Sequence, residues 1–323
     1  MSPLERRLPL AQVPTPLEPV DRLGAALGLA PGSLWVKRDD QTGLAGGGNK
    51  ARKLEYLCAD ALAAGADTLV TGGGRQSNHV RMTAAVANKL GLACTVVLGG
   101  GRPDRPTGNV LLDELMGADI VWAGDWAYYA VETEIDTTCA RLRAAGRRPY
   151  AMPIGGASAI GALGYVRGGQ ELIAQDPNID VVVTADGSGG THAGLSVAFG
   201  DFGKVFGVDV GARPDLDEQV PLKAREVAGL IGLPPPAGEC HVDHDHFGDD
   251  YGAPTDECRD ALKLAARTEG LILDPVYTGK ALAALVTACR AGRVDPGARV
   301  VFLHTGGMPA LFASPFATWF RDD

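Results

Sequence analysis

Val181-Val182-Val183-Thr184-Ala185-Asp186-Gly187-Ser188-Gly189-Gly190-Thr191-His192 is the stretch on which the fold turns. A continuous apolar run marks a strand buried on both faces. Here the run ends in glycines and passes directly into a helical pattern over 191–199. The same succession recurs along the chain. Strands are predicted over 33–38, 68–71, 94–98, 119–122, 180–184, 204–210 and 299–304, and helices over 51–64, 78–90, 126–145, 159–175, 191–199, 222–231, 256–269 and 279–291. Such alternation implies an α/β fold of open, twisted, mostly parallel sheets with flanking helices and right-handed crossovers. A length of 323 residues suggests two domains. Gly and Pro cluster at 99–108, 232–238 and 247–254, which read as surface loops.

The composition narrows the function. A net charge of -9 argues against nucleic acid as the main partner, because phosphate backbones need a basic surface, but leaves room for a small anion in a local pocket. No run approaches the roughly 18 apolar residues that span a membrane. The first ten residues carry Glu5, Arg6 and Arg7 and lack the apolar core of a secretory signal. The six cysteines form no C-x-x-C pair, so a reducing, cytoplasmic setting without disulfides is expected.

Four glycine-rich turns sit where strands end and helices begin, at 46–50, 72–74, 187–191 and 305–307. Ligands of open α/β sheets bind at the carboxyl ends of strands. Glycine there lets backbone N–H groups reach an anion, and the next helix N-terminus adds partial positive charge. Gly187, Ser188, Gly189, Gly190 and Thr191 form the best phosphate candidate, although a plain tight turn would use the same glycines. The turn is neither G-x-G-x-x-G nor a Walker A loop. The first turn ends in Lys50, with Lys53 three residues on, on the same helix face. A lysine beside another cation and away from water is pushed toward the neutral amine that Schiff-base chemistry needs. A basic helix start on the surface is the plainer alternative. Gln76-Ser77-Asn78-His79 places donors suited to a carboxylate at a helix start, where Ser77 or Asn78 also serves as an ordinary cap. His241, Asp243, His244, Asp245 and His246 invite a metal reading, against which a solvated loop is preferred, so no metal is assigned.

Taken together, these motifs resemble a known family. Gly47-Gly48-Asn49-Lys50-x-Arg52-Lys53-Leu54-Glu55 is similar to the cofactor-lysine segment of the D-cysteine desulfhydrase and 1-aminocyclopropane-1-carboxylate deaminase family. Gln76-Ser77-Asn78-His79-Val80-Arg81, Gly161-Ala162-Leu163-Gly164-Tyr165, Gly190-Thr191-His192-Ala193-Gly194-Leu195, Asp274-Pro275-Val276-Tyr277-Thr278-Gly279-Lys280-Ala281 and His304-Thr305-Gly306-Gly307 follow in family order. The resemblance runs from Pro14 to Phe312. It implies a tryptophan-synthase-β-like fold with a large cofactor domain, 1–53 and 166–323, and a small inserted domain, 54–165. The cofactor implied is pyridoxal 5'-phosphate, held by Lys50 as a Schiff base. Lys53 and the 187–191 loop would bind its phosphate, Asn78 its ring hydroxyl and Thr305 its pyridine nitrogen. Ser77, with Gln76, Asn78 and His79, would take the substrate carboxylate, and Tyr251 and Tyr277 look like the active-site tyrosine pair. The partner implied is a small amino-acid substrate, with a homodimer as the assembly.

Two positions bear on the reaction. The deaminases carry Glu and Leu where this chain has Thr278 and Thr305. An acid against the ring nitrogen would strengthen the electron sink, and a hydroxyl leaves a weaker one, sufficient for a good leaving group such as thiolate. D-cysteine desulfhydration is therefore expected, with L-cysteate sulfo-lyase and cyclopropane deaminase as alternatives and a non-catalytic phosphate-ligand-binding protein as the reading from another class. Three residues depart from the family pattern: Arg75, Asp186 beside the phosphate turn, and Asp250 before Tyr251. Arg75 is suited to pair with an extra negative charge on the substrate.

Overall fold

The computed structural model describes residues 2–320. In chain order the elements are β1 (Leu17–Pro19), α1 (Asp21–Ala26), β2 (Leu34–Lys37), α2 (Lys50–Ala63), β3 (Thr68–Gly74), α3 (Asn78–Leu90), β4 (Ala93–Gly99), α4 (Asn109–Leu115), β5 (Asp119–Trp122), α5 (Tyr128–Ala144) and β6 (Pro149–Ala151). The second half adds α6 (Ala159–Gln175), β7 (Val181–Asp186), α7 (Gly190–Phe199), β8 (Val205–Asp209), α8 (Leu216–Ile231), β9 (Val242–Asp243), α9 (Asp256–Glu269), α10 (Thr278–Arg290) and β10 (Val300–Leu303).

The strands form two sheets, one of six in the order β1-β2-β10-β7-β8-β9 and one of four in the order β5-β4-β3-β6. Only β1 against β2 is antiparallel. This is the α/β architecture expected from the alternating pattern. The continuous apolar runs have a direct cause, since both sheet faces are covered. In β10, Val300 and Phe302 pack with Leu282 and Leu285 of α10, whereas Val301 and Leu303 pack with Tyr165 of α6 and Leu195 of α7. The period of two sends alternate side chains to opposite helix layers. Each fully buried Val or Leu contributes about 1.5–3 kcal/mol.

Several elements differ from the sequence reading. β3 runs on through Gly72, Gly73 and Gly74, which pair with Val97, Leu98 and Gly99 of β4, so the second glycine cluster is strand rather than turn. The neighbours explain the missing side chains: a Cβ on Gly74 would lie 2.4 Å from the Tyr251 ring. α8 starts at Leu216, six residues before the expected start at 222, and contains Pro221. The short elements β1, α1, α4, β6 and β9 carry too few residues to show a period.

Candidate active site

The carboxyl ends of β3, β7 and β10 and the N-terminus of α2 converge on one cavity. It is lined by Asn49, Lys50, Lys53, Ser77, Asn78, His79, Gly187, Ser188, Gly189, Thr191, Tyr251, Tyr277 and Thr305, together with Trp126, Gly155 and Asp186. Of the residues assigned from the sequence to cofactor, substrate or catalysis, Gly190 and Gln76 lie outside that lining. Gly190 is the first residue of α7, where an added Cβ would come within 3.0 Å of the Lys53 amine. Gln76 turns away. Its Nε2 donates to the Thr107 carbonyl at 3.2 Å and its Oε1 accepts from the Asn109 N–H at 2.8 Å.

Lys50 opens α2, and its Nζ donates to Asn49 Oδ1 at 2.8 Å. Asn49 Nδ2 reaches Thr191 Oγ1 at 3.2 Å, and the Asn49 N–H donates to the Thr305 carbonyl at 3.0 Å. One asparagine thus ties the lysine to both glycine turns. The sequence reading missed that role, although Asn49 stands next to Lys50. Burial lowers the Lys50 amine to about 8, against the opposing pull of the Asp274 carboxylate. Lys53 is fully buried, and burial together with the Lys50 charge holds its amine well below the ordinary lysine range. Among the described residues its one hydrogen-bond partner is the Gly155 carbonyl, at 3.2 Å.

The 187–189 turn feeds α7 through Gly189, whose φ of 77° is a conformation that favours glycine. Asp186 lies at this turn, and its charge is answered from behind. Oδ2 meets His192 Nδ1 at 2.7 Å, and burial notwithstanding, the Asp186 carboxylate lifts that imidazole to about 10. Asp186–His192 is therefore an internal ion pair, which resolves how an acid is tolerated beside an anion site. Asp250 accepts from the Tyr251 N–H at 2.7 Å and lines no part of the cavity.

Ser77 caps α3, accepting from the Val80 N–H at 3.4 Å. Asn78 is oriented by Arg81, a buried guanidinium that donates to Asn78 Oδ1 and Asn109 Oδ1 at 2.9 Å each and to the Gly47 carbonyl at 2.8 Å. His79 is 1% exposed, and neither ring nitrogen has a partner. Burial holds its imidazole well below the usual range, so it is neutral. The Tyr251 and Tyr277 hydroxyls are hydrogen-bonded to each other. Burial raises both above the ordinary phenol range. Lys280 donates to the Phe247 carbonyl at 2.7 Å and so secures the loop that presents Tyr251. Thr278 takes no part in the cavity; its Oγ1 donates to Asp274 Oδ1 at 2.7 Å, and Asp274 accepts from the N–H groups that begin α10. Thr278, expected to tune a ligand, bonds Asp274 instead, whereas Thr305 does face the cavity.

Two histidines of the 241–246 loop are engaged by separate partners. His244 bridges Asp209 at 2.9 Å and Asp217 at 3.0 Å, and His246 pairs with Asp243 at 2.6 Å. No three His, Cys, Asp or Glu side chains converge as a metal site among the described residues.

The cavity fits pyridoxal phosphate. A buried amine, Lys53, a half-buried one, Lys50, and a helix N-terminus face a glycine turn without a matched anion, and a phosphate supplies one. A lysine amine near 8 is available in its neutral form to join an aldehyde.

Comparison with known proteins agrees. A family model described as pyridoxal-phosphate dependent enzyme matches residues 8–306. A D-cysteine desulfhydrase of Salmonella typhi is 44% identical, with 95% of each chain covered, and that of Salmonella schwarzengrund is 44% identical at the same coverage. A solved homologue of ACC deaminase superposes with a TM-score of 0.88 at 36% identity, covering 98% of this chain and 94% of that one. Threonine deaminase isoform 2 from Solanum lycopersicum shares the fold, with a TM-score of 0.66 at 15% identity over 99% of this chain and 85% of that one. By the match over residues 8–306 and these identities, this chain belongs to the family of pyridoxal-phosphate dependent enzymes.

Proposed function

We propose that this chain is a carbon–sulfur lyase that converts D-cysteine and water to pyruvate, ammonium and hydrogen sulfide. One observation carries the reading: a lysine whose amine is lowered to about 8, and so is partly neutral near that pH, shares a cavity with two tyrosines held protonated by burial. That is a base and an acid in one enclosure. The relatives at 44% identity that bear this activity support it.

Lys50 would hold the cofactor covalently, Lys53 and the 187–191 turn its phosphate, Asn78 its ring hydroxyl and Thr305 its pyridine nitrogen. When bound, the cofactor supplies an electron sink for the α-carbon. Ser77, Asn78 and the neutral His79 direct donors at the substrate carboxylate. Lys50 Nζ accepts the α-proton. The Cβ–S bond then breaks with its electron pair leaving on sulfur. The Tyr251–Tyr277 pair donates a proton to the departing thiolate, a role that suits raised phenols better than that of base.

The two-domain reading, 1–53 with 166–323 and an insert of 54–165, draws support from the sheets. The six-stranded sheet takes its strands from the first set and the four-stranded sheet from the second. Both boundaries fall inside helices, α2 and α6, which would serve as the links. A cytoplasmic homodimer completes the reading; no helix among the described residues is long and apolar enough to cross a membrane.

The test is a paired assay on the cofactor-loaded enzyme. Pyruvate and sulfide from D-cysteine support the reading. Ammonia from 1-aminocyclopropane-1-carboxylate without sulfide from D-cysteine would replace it with the deaminase, the second reading favoured by the solved homologue.

A further inference from the structure

A second cavity, of about 170 Å³, adjoins the first and shares Gly74, Trp126 and Tyr251 with it. The Tyr251 and Trp126 rings, with centroids 4.8 Å apart, form the partition. We propose that this outer cavity is a subsite for a second negative charge on the substrate, so that the enzyme takes alanine derivatives whose β-substituent is itself an anion, such as a sulfonate, an S-sulfonate or a phosphate ester. The proposal rests on the lyase reading above and names a substrate class for it.

Charge is the first argument. The chain carries 39 acidic and 30 basic residues, yet this wall holds Arg75 and Arg105 and no Asp or Glu. Neither guanidinium has a hydrogen bond or ion pair among the described residues. Both arginines reach solvent, and two guanidinium groups without a protein partner on one concave wall, in an acidic protein, match the planar recognition of sulfonate or phosphate oxygens.

Placement is the second. Arg75 directly follows the last residue of β3 and stands two residues before Ser77, the cap of α3 in the inner cavity. Its side chain lies across Gly100, where an added Cβ would come within 3.1 Å of Nε. Gln76, through its bonds to Thr107 and Asn109, fastens the 105–109 segment to the entry of α3 and so holds the segment that carries Arg105. This gives Gln76, itself part of the outer cavity's lining, a positioning role. The third argument is need: a neutral thiol requires neither the charge nor the room.

Elimination from such a substrate follows the same course. The α-proton passes to Lys50, the Cβ–X bond breaks with its pair leaving on X, and one water is consumed. Cysteate and water give pyruvate, ammonium and bisulfite.

The experiment measures kcat/KM for racemic cysteate and S-sulfocysteine against racemic β-chloroalanine and D-cysteine, in the cofactor-loaded enzyme and in Arg75→Ala and Arg105→Ala. Each variant is expected to lower the ratio of anionic to neutral substrate about tenfold, mostly through KM, as fits the loss of one charge-assisted contact. Added salt should shrink the same ratio in the unmodified enzyme. Tryptophan fluorescence titrated with sulfoacetate gives a readout free of turnover, expected to saturate and to weaken in Arg75→Ala. Turnover of D-cysteine with no anionic turnover, or with ratios unmoved by both variants, overturns the subsite and leaves the lyase reading standing. No turnover of any substrate, with a saturable sulfoacetate signal lost in Arg75→Ala, overturns the lyase and keeps the anion site. Absence of both overturns both.

Discussion

Helix α2 carries two buried cationic regions only one residue apart, and they are answered in opposite ways. Arg52 is 3% exposed and meets Asp39 at 2.8 and 2.9 Å and Glu171 at 2.9 Å through two nitrogens. Tyr165 donates to Asp39, and Lys37 donates to Glu171, Gln175 and the Thr15 carbonyl. Every charge there has a counter-charge. Burial alone would raise the Asp39 carboxyl, but Arg52 outweighs it and holds the group below its usual range. Lys50 and Lys53, beside it on the same helix, have only an amide oxygen and a carbonyl. An uncompensated buried charge costs several kcal/mol. Burial instead drives both amines toward the neutral form, and two amines without a carboxylate partner beside a fully matched network mark a place for an anion that the chain does not supply. Structural and ligand-binding cations are thus separated by what faces them, not by residue type or burial.

The comparison can be broken most severely at Lys50. Lys50→Ala should abolish the visible absorbance of the bound cofactor and cut pyruvate release by on the order of 10³ or more, with circular dichroism unchanged. A variant that keeps both would remove Lys50 from the chemistry. Next in size, Arg52→Ala strands Asp39 and Glu171, and a denaturant titration should show a loss of about 3–5 kcal/mol. Lys53→Met sharpens the contrast because its sign is opposite. The cofactor-free protein should melt no lower than the unmodified protein, since a desolvated amine without an anionic partner is gone. Cofactor affinity should fall by roughly 10- to 100-fold, measured by absorbance titration. If Lys53→Met and Arg52→Ala lowered stability alike, the distinction between the two regions would fail.

The smallest effect is on pH. The Lys50 amine lies near 8, against 10.5 in the open chain. Cofactor attachment needs the neutral amine, so its rate should rise with pH, about tenfold per unit below 8, and level off above. The same shift makes the cofactor-free fold gain stability as pH rises from about 8 to 10.5, because there the unfolded chain binds the extra proton. A loading profile flat between pH 6 and 9 would contradict the placement of this amine.

Much of the site was legible in the sequence. The apolar runs ending in glycine located the carboxyl ends of β7 and β10, and Lys50, Lys53, Ser77, Asn78 and Thr305 stand in one cavity as expected. Gln76 and Thr278 show where local reading stops. Both sit inside recognisable motifs, yet one side chain turns to the 107–109 backbone and the other to Asp274. Asp186 looked unfavourable until its partner His192 was in view. Arg81 stood at the end of the 76–81 motif without its orienting role being legible, and Trp126 carried no signal.

What the sequence determined by itself is what short-range pattern encodes: alternation of strand and helix, glycine where the backbone must turn or be approached, and lysines at a helix start. The partners of those residues were decided by tertiary structure. Arg52 finds Glu171 from 119 positions away, and Lys53 finds Gly155 from 102. Periodicity records which face of an element is buried, but whether a buried cation meets a carboxylate or an open cavity depends on segments distant in the chain, and only the packed fold brings them within hydrogen-bond reach.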